Sequence, residues 1–178
     1  MKILYHHRTR AEDAQGVHIQ EMVNAFQKQG HEVVVAGLMS PKNGSAGHQR
    51  SSIIGRIAAM VPYWLYELME LVYNCYALFS LSRKVRKFRP DCIYERYAIF
   101  TFAGLLVAWL YKVPFILEVN APLAMEKKQY AKLFFARTAK AIERYICSKA
   151  NMTIVVSTPL KKIMQDSRRM EKSLKEVR

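Results

Sequence analysis

Several features of common protein classes are missing from this sequence of 178 residues. Its three cysteines lie far apart and are odd in number, so we expect neither a disulfide framework nor a zinc site, and reduced cytosolic thiols are the simplest interpretation. The five histidines show no metal-ligand spacing. The dinucleotide fingerprint of three spaced glycines is also absent, which disfavours NAD or FAD. We therefore expect no metal and no bound cofactor.

Long uninterrupted apolar segments are also few. The first apolar run ends at His6, too early for a signal peptide. Residues 53–81 are rich in apolar side chains but include Arg56, Glu67 and Glu70. Residues 98–111 are apolar throughout but shorter than the roughly 20 residues that a spanning helix needs. We predict a cytoplasmic protein without a transmembrane helix.

Acidic residues are scarce compared with basic ones: there are 14 Asp and Glu against 28 Lys and Arg, which gives a formal net charge of +14. Such a balance predicts an anionic neighbour, namely nucleic acid, an acidic membrane leaflet or a phosphorylated ligand. No nucleic-acid-binding motif accompanies the charge, so we expect no nucleic-acid partner.

Apolar strand-like runs alternate with helical patterns along the whole chain. Five strands are predicted, over 2–6, 33–36, 91–94, 114–119 and 153–156. Helices are predicted from His18 to a left-handed cap at Gly30, over 53–88 with a break at Pro62, over 100–111, over 125–150, and after a cap at Thr158. Near-continuous apolar strands alternating with helices are typical of a parallel sheet covered on both faces. The predicted fold class is therefore α/β.

Polar residues at the carboxyl ends of the predicted strands are the candidate site residues, because ligands bind there in such sheets. Gly16 opens a helix whose free amides suit a phosphate. His18 lies in the same crevice and could donate to a sugar or phosphate. Arg96 offers a planar fork for an anion. Glu118 and Asn120 follow the fourth strand, and Glu118 alternates with buried neighbours, so it points toward the crevice or a helix. A turn glycine, a surface histidine and a local Glu95–Arg96 pair are the alternative interpretations.

The helix around residues 63–88 has an aromatic surface followed by a basic run. The aromatic residues Tyr63, Trp64, Tyr66, Tyr73 and Tyr76 are interspersed with Leu and Met, and residues 83–87 read RKVRK. This pattern suits an anionic membrane interface. The alternative is a core helix with a solvated basic end.

Four segments together resemble the family 4 glycosyltransferases, which have the GT-B fold of two facing Rossmann-like domains. They are residues 16–21 (GVHIQE) with 30–33 (GHEV), 90–97 (PDCIYERY), 113–126 (VPFILEVNAPLAME) and 150–157 (ANMTIVVS). Each segment is short, but they occur in the family's order and at its approximate spacing. The resemblance covers residues 1–164.

The resemblance implies that residues 1–164 form the N-terminal, acceptor-side Rossmann-like half of the enzyme, with a parallel sheet of about five or more strands and helices on both faces. It also implies that residues 165–178 are a charged tail and that the C-terminal donor-binding domain is absent. The amide of Gly16 would bind the donor phosphate, while His18, Arg96, Glu118 and Asn120 would line the acceptor or sugar crevice. No catalytic residue is assigned, because Asn120 stands where many members have histidine and Gln15 stands where many have a second glycine.

The function implied is that of a retaining hexosyltransferase half, which moves a sugar from a nucleotide-sugar donor to a glycan or lipid-linked acceptor in cell-surface polysaccharide synthesis. On this interpretation a donor-domain partner chain is a candidate partner, and the chain by itself is not expected to be active. The inner face of the membrane is a candidate location. The alternative function is a non-catalytic module that binds a glycan, a lipid phosphate or a partner protein.

Overall fold

The computed structural model describes residues 1–8, 14–37, 62–121, 123 and 133–164. Within these ranges strands and helices alternate, followed by a helical stretch over 158–164. In chain order the elements are β1 (Lys2–His6), α1 (Ala14–Lys28), β2 (Glu32–Ala36), α2 (Tyr63–Phe88), β3 (Cys92–Arg96), α3 (Ala103–Tyr111), β4 (Phe115–Val119), α4 (Ala136–Lys149) and β5 (Met152–Val155).

The five strands form one parallel sheet in the order β2-β1-β3-β4-β5. The chain starts in the middle of the sheet, moves outward to β2, and then returns to β3 on the other side of β1. The helices that come next in the chain after β1 and β3, namely α1 and α3, therefore lie on opposite faces of the sheet, and the strand order reverses between these two strands. In open α/β sheets this reversal of strand order is where ligands bind.

Helices cover both faces of the sheet, as the sequence predicts. On one face Ile3 and Tyr5 of β1 and Tyr94 of β3 pack against Ile19 and Val23 of α1. On the opposite face a larger core joins the sheet to α2, α3 and α4; it includes Leu4, Leu81, Ile93, Val107, Leu117 and Ile146. Because successive strand residues point to opposite faces, each central strand is buried on both sides and has few polar residues until its carboxyl end.

Gly30 ends α1 in the predicted left-handed conformation, with φ 81°. The amide of Gly30 donates to the carbonyl of Gln27, and the amide of His31 donates to the carbonyl of Phe26, both at 3.0 Å. This pair of bonds is the Schellman arrangement, in which a residue without Cβ takes positive φ at no steric cost. The turn aims the chain directly into β2.

Two buried side chains of α2 organise the segments that precede α3 and α4. Asn74 accepts hydrogen bonds from the amides of Phe102 and Ala103 at 2.8 and 3.0 Å, and its amide group donates to the carbonyl of Phe100 at 2.7 Å. Glu67 accepts from the amides of Phe134 and Phe135 at 2.8 and 2.7 Å. These contacts satisfy amides at helix starts that lack intrahelical partners.

The boundaries of several predicted elements were wrong. The first helix begins at Ala14 rather than His18, and β3 extends through Arg96. The third helix begins at Ala103 rather than at residue 100, because Phe100 takes φ 60° and cannot continue a helix. Residues 133–135 precede α4 instead of belonging to it. The last helix is capped by Ser157, whose Oγ accepts from the amide of Leu160 at 3.3 Å, and not by Thr158.

Other parts of the predicted helices lie outside the described residues, namely 53–61 and 125–132. Among the helices that the structure describes, none is both long and apolar enough to cross a bilayer.

Candidate functional site

Polar side chains from β1, β3 and β4 form two separate groups at the carboxyl edge of the sheet. The parallel register places His6 beside Glu95 and Arg96 beside Glu118. Because neighbouring residues of a strand face opposite sides, Glu95 and Arg96 belong to different groups. One group lies on the α1 face of the sheet, and the other lies on the face covered by α2 and α3.

The group on the α1 face is centred on Glu118, a carboxylate whose side chain is only 3 % exposed. Its Oε2 accepts a hydrogen bond from the Tyr94 hydroxyl at 2.7 Å. Its Oε1 accepts from Asn120 Nδ2 at 2.7 Å and lies 2.9 Å from His18 Nε2. An ionised carboxylate can only accept, so His18 carries a hydrogen on Nε2 and donates it to Glu118. Three residues from α1, β3 and the end of β4 are thereby fixed to one anion.

The electrostatics agree with an ionised Glu118. Burial acts to raise the pKa of Glu118, but the hydrogen bonds from Tyr94, Asn120 and His18 outweigh it and lower that pKa below its ordinary value of 4.5. Burial, and then the hydrogen bond to Glu118, raise the pKa of the Tyr94 phenol above its ordinary value. Tyr94 is therefore neutral at physiological pH and remains a hydrogen-bond donor.

Aromatic packing holds Tyr94 in this position. Its ring stacks on Tyr5 with centroids 5.2 Å apart, and it meets Phe26 of α1 edge-on at 5.4 Å. Offset stacked and edge-to-face contacts are the favoured geometries of aromatic pairs. The hydroxyl that binds Glu118 is thus supported by a rigid stack across β1, β3 and α1.

Three polar atoms in this group are buried without a hydrogen-bond partner in the described ranges: Tyr5 OH, Arg96 Nη1 and Asn120 Oδ1. Burial, and then the charge of Glu118, raise the pKa of Tyr5, while the positive charge of Arg96 opposes that rise, so the three groups share one electrostatic environment. Buried polar groups are nearly always paired, so unpaired ones call for a partner such as a bound ligand or water. The group can both donate to and accept from such a partner.

The second group pairs His6 with Glu95 on the opposite face. His6 Nδ1 lies 2.6 Å from Glu95 Oε2, and both residues are almost completely buried. Gly104 in the first turn of α3 makes room for this contact, since a Cβ there would lie 1.8 Å from Glu95 Oε2. The Glu95–Arg96 pair considered as an alternative does not form; Glu95 binds His6 instead.

The structure brings together four of the five residues singled out from the sequence, because Glu118 binds His18 and Asn120 directly and Arg96 lies beside it in register. Glu118 faces α1, as its alternation with buried neighbours predicts. Gly16 is the third residue of α1, so its amide is among the first four, which have no partner within the helix. His18 lies in the second turn of α1 and not in the first, because α1 begins earlier than predicted.

The contributions of Tyr5, Tyr94 and His6 were missed by sequence reasoning. Each lies in an apolar run that predicts a buried strand, and nothing in its immediate sequence indicates a role for its polar side-chain atoms. Only the register of the sheet reveals them: His6 lies opposite Glu95, and Tyr5 lies opposite Tyr94, on neighbouring strands. No group of three His, Cys, Asp or Glu side chains that could hold a metal ion occurs among the residues the structure describes.

Replacing Glu118 with glutamine should make the protein less dependent on pH in the acid range. A carboxyl whose folded-state pKa is lowered stabilises the fold above its ordinary pKa of 4.5 and loses that contribution as the pH falls through the folded-state value. We expect Glu118→Gln to lower the free energy of unfolding by about 1–3 kcal/mol at neutral pH. The difference from the unmodified protein should shrink as the pH falls below 4.5 and through the lowered folded-state pKa, because Glu118 then becomes protonated.

Denaturant unfolding at a series of pH values measures this difference. Glu21→Gln, a change at an exposed position of α1, is the matched control. Its free energy of unfolding, plotted against pH, should run parallel to that of the unmodified protein. A Glu118→Gln curve that is also parallel would show that Glu118 does not carry the pH-dependent contribution.

A central parallel sheet with helices on both faces and polar residues at its switch point defines a Rossmann-like α/β domain. The family model described as Glycosyltransferase Family 4 matches residues 15–174. The chain therefore belongs to this glycosyltransferase family, and the resemblance seen in the sequence is confirmed. Among curated proteins, no sequence matches the chain significantly.

Two solved structures are similar to this chain. The UDP-GlcNAc 2-epimerase from Neisseria meningitidis, bound to UDP-GlcNAc, is 15 % identical and superposes with a TM-score of 0.57 over 94 % of this chain and 44 % of its own. The spinosyn rhamnosyltransferase SpnG, complexed with thymidine diphosphate, is 18 % identical with a TM-score of 0.46 over 74 % of this chain and 38 % of its own. The chain thus spans less than half the length of either protein. The first similarity shows that the fold is shared.

Proposed function

We propose that this chain forms the acceptor-side half of a retaining glycosyltransferase of the hexosyltransferase type. It would help to move a sugar from a nucleotide-sugar donor to a glycan or lipid-linked acceptor in cell-surface polysaccharide synthesis. It would act in the cytoplasm, at the inner face of the membrane. Membership of the glycosyltransferase family supports sugar transfer in general. The geometry of the site supports the positions that we propose for the sugar and for the donor phosphates.

The observation that carries the proposal is the group of buried atoms around Glu118 that have no partner within the described ranges. Tyr5 OH, Arg96 Nη1 and Asn120 Oδ1 offer donors and acceptors at the carboxyl edge of the sheet. Sugar hydroxyls both donate and accept, so a sugar offers both kinds of partner that these atoms need, which a purely apolar or purely anionic ligand does not. Because the supporting residues are held by Glu118, little ordering is left to occur on binding.

The donor phosphates would meet the start of α1. Amides at the start of α1, among them that of Gly16, point out of the helix where its dipole is positive, and this arrangement favours an anion. His18, held by Glu118, fixes this end of α1 against β4. The epimerase that shares the fold is bound to UDP-GlcNAc, which supports a nucleotide-sugar as the donor class.

A second domain would complete the site. The chain covers 44 % of the epimerase chain, and a donor-binding domain, in the same polypeptide or in a partner chain, would face the carboxyl edge of the sheet. Fixed donors at the start of α1, such as the amide of Gly16, would then stabilise the charge that develops on the leaving diphosphate.

A non-catalytic binding module is the second candidate, and one observation favours it. Glu118, the only carboxylate in the α1-face group, is occupied by three donors and has a lowered pKa. It is therefore a poor general base. A module that binds a glycan or lipid phosphate needs only the donors and acceptors around it.

Mass spectrometry of a transfer reaction distinguishes the two. The purified chain is incubated with mixed sugar nucleotides and membrane lipid extract, alone and with a donor-binding domain from another member of the family. The proposal predicts product only when the second domain is added. Product from the chain alone would contradict the need for a second domain. Binding of acceptor without product in either reaction would favour the module.

A further inference from the structure

The outer face of α2 has an apolar stripe where a solvent-facing helix ordinarily has polar side chains. Met69, Val72, Tyr76 and Phe79 are 58, 60, 62 and 72 % exposed. Their spacing of three, four and three residues places them in one line along the helix. The line lies opposite the buried face of α2, which includes Asn74, Ala77 and Leu81.

Charge along α2 is sorted between its two faces. Its only carboxylates, Glu67 and Glu70, are turned inward and buried, Glu67 against the start of α4 and Glu70 against Arg8. The apolar stripe continues instead into exposed basic residues, Arg83, Arg86 and Lys87. The outer face of α2 is therefore apolar along its middle, basic at its carboxyl end and free of acidic side chains.

Helix α3 extends this surface. Trp109 and Leu110 are 80 and 60 % exposed at its carboxyl end, and exposed Lys112 follows. Arg86 Nε donates to the Tyr111 hydroxyl at 2.7 Å, so the basic end of α2 lies beside the apolar end of α3. We call the surface formed by these exposed residues of both helices the α2–α3 face.

We propose that the α2–α3 face docks the protein on an anionic membrane surface. Aromatic and aliphatic side chains of a monotopic protein enter the boundary between headgroups and acyl chains, while basic side chains beside them bind lipid phosphates. The outward placement of the positive charge and the inward placement of Glu67 and Glu70 match an anionic leaflet. A second copy docked face to face would bring the same uncompensated positive charges together, so a homodimer fits this surface less well.

The surface differs in composition from the aromatic group predicted from the sequence. Tyr73 lies beneath Arg8, whose guanidinium is 5.9 Å from its ring, and packs against the core. Phe79 and Val72 take its place on the outer face. The alternative of a core helix describes the inner face of α2 correctly but leaves the apolar outer face unexplained.

Vesicle flotation tests the proposal without any transfer reaction, so its outcome is independent of the proposed function. The full chain should float with vesicles of phosphatidylcholine mixed with phosphatidylglycerol, but not with phosphatidylcholine alone, and added salt should weaken binding. The double variants Tyr76→Ser/Phe79→Ser and Arg83→Glu/Lys87→Glu should each bind anionic vesicles at least about tenfold more weakly, with unchanged thermal unfolding.

Matched controls lie elsewhere on the surface. Tyr145→Ser, on the exposed face of α4, and Lys161→Glu/Lys162→Glu should bind vesicles like the unmodified chain. Equal loss in these controls, or no binding of the unmodified chain to anionic vesicles, would overturn the proposal. A dimer in light scattering that dissociates on Tyr76→Ser/Phe79→Ser would assign the face to a second copy and would also overturn it.

Discussion

Replacing Gly104 with alanine should lower the free energy of unfolding by about 3 kcal/mol, although the same change in an ordinary helix interior stabilises by about 1 kcal/mol. For a domain of this size, the expected fall in Tm is roughly 6–12 °C. The reason is the buried contact beneath Gly104: a Cβ would lie 1.8 Å from Glu95 Oε2 and 3.2 Å from Phe115 Cε2.

The carboxylate of Glu95 cannot simply move aside. It is completely buried and lies 2.6 Å from His6 Nδ1. Displacing it breaks that hydrogen bond and leaves two buried polar groups with poorer partners. The free-energy cost is far larger than the stabilisation that alanine gives by reducing the conformational entropy of the unfolded chain. The expected loss therefore comes from the His6–Glu95 pair and not from the helix itself.

A double-mutant cycle with Glu95→Ala isolates this cause. In the Glu95→Ala background, Gly104→Ala should be neutral or stabilising, because the clashing carboxylate is gone. Thermal unfolding of the four proteins measures the coupling. If Gly104→Ala were equally destabilising with and without Glu95, the packing of Gly104 against the carboxylate would not be the source of the effect.

Replacing Asn74 with leucine should lower the free energy of unfolding by a similar amount, about 3 kcal/mol. The substitution leaves the amides of Phe102 and Ala103 and the carbonyl of Phe100 without the partners that Asn74 provides. It also removes the hydrogen bond that helps to hold Phe100 at φ 60°, a conformation that is unfavourable for a bulky side chain. Hydrogen exchange should show the amides of Phe102 and Ala103 exchanging faster than those of β3.

Asn24→Leu is the matched control for Asn74→Leu. Asn24 is also an asparagine in a helix, but its side chain accepts only one exposed hydrogen bond, from Gln20. We expect a change of less than about 0.5 kcal/mol there. Equal effects at both positions would mean that Asn74 contributes through helix propensity alone.

Much of the fold follows from local patterns. The apolar runs that form β1, β3 and β4 are dense enough to predict strands buried on both faces, and the alternation with helices then predicts a parallel sheet. Gly30 is recognisable because a helix pattern stops just before it and a β-branched run follows. The orientation of Glu118 was also predictable, because successive strand residues face opposite sides and its neighbours Leu117 and Val119 are apolar core residues.

The contacts that shape the site were not predictable in the same way. His6 and Glu95 are 89 positions apart, and His18 and Glu118 are 100 positions apart. Glu67 reaches amides 67 and 68 positions away to set the start of α4. Such pairs depend on strand order and register, which periodicity does not encode, so the helix boundaries that they determine were misplaced. Their position at the carboxyl ends of the predicted strands identified the candidate residues, but the network around Glu118 appears only in the folded chain.

Arg96 tests the central claim most directly, because the proposed site needs its guanidinium nitrogen Nη1, which is buried with no partner among the described residues. The measurement is the initial rate of sugar transfer by the chain together with a donor-binding domain, compared between Arg96→Gln and the control Arg137→Gln on the exposed face of α4. Losing a charged contact to a bound ligand typically costs about 2–4 kcal/mol, so Arg96→Gln should be at least about 30-fold slower at unchanged Tm. Arg137→Gln should match the unmodified chain. An Arg96→Gln protein as active as the control would contradict the assignment of the site to the group around Glu118.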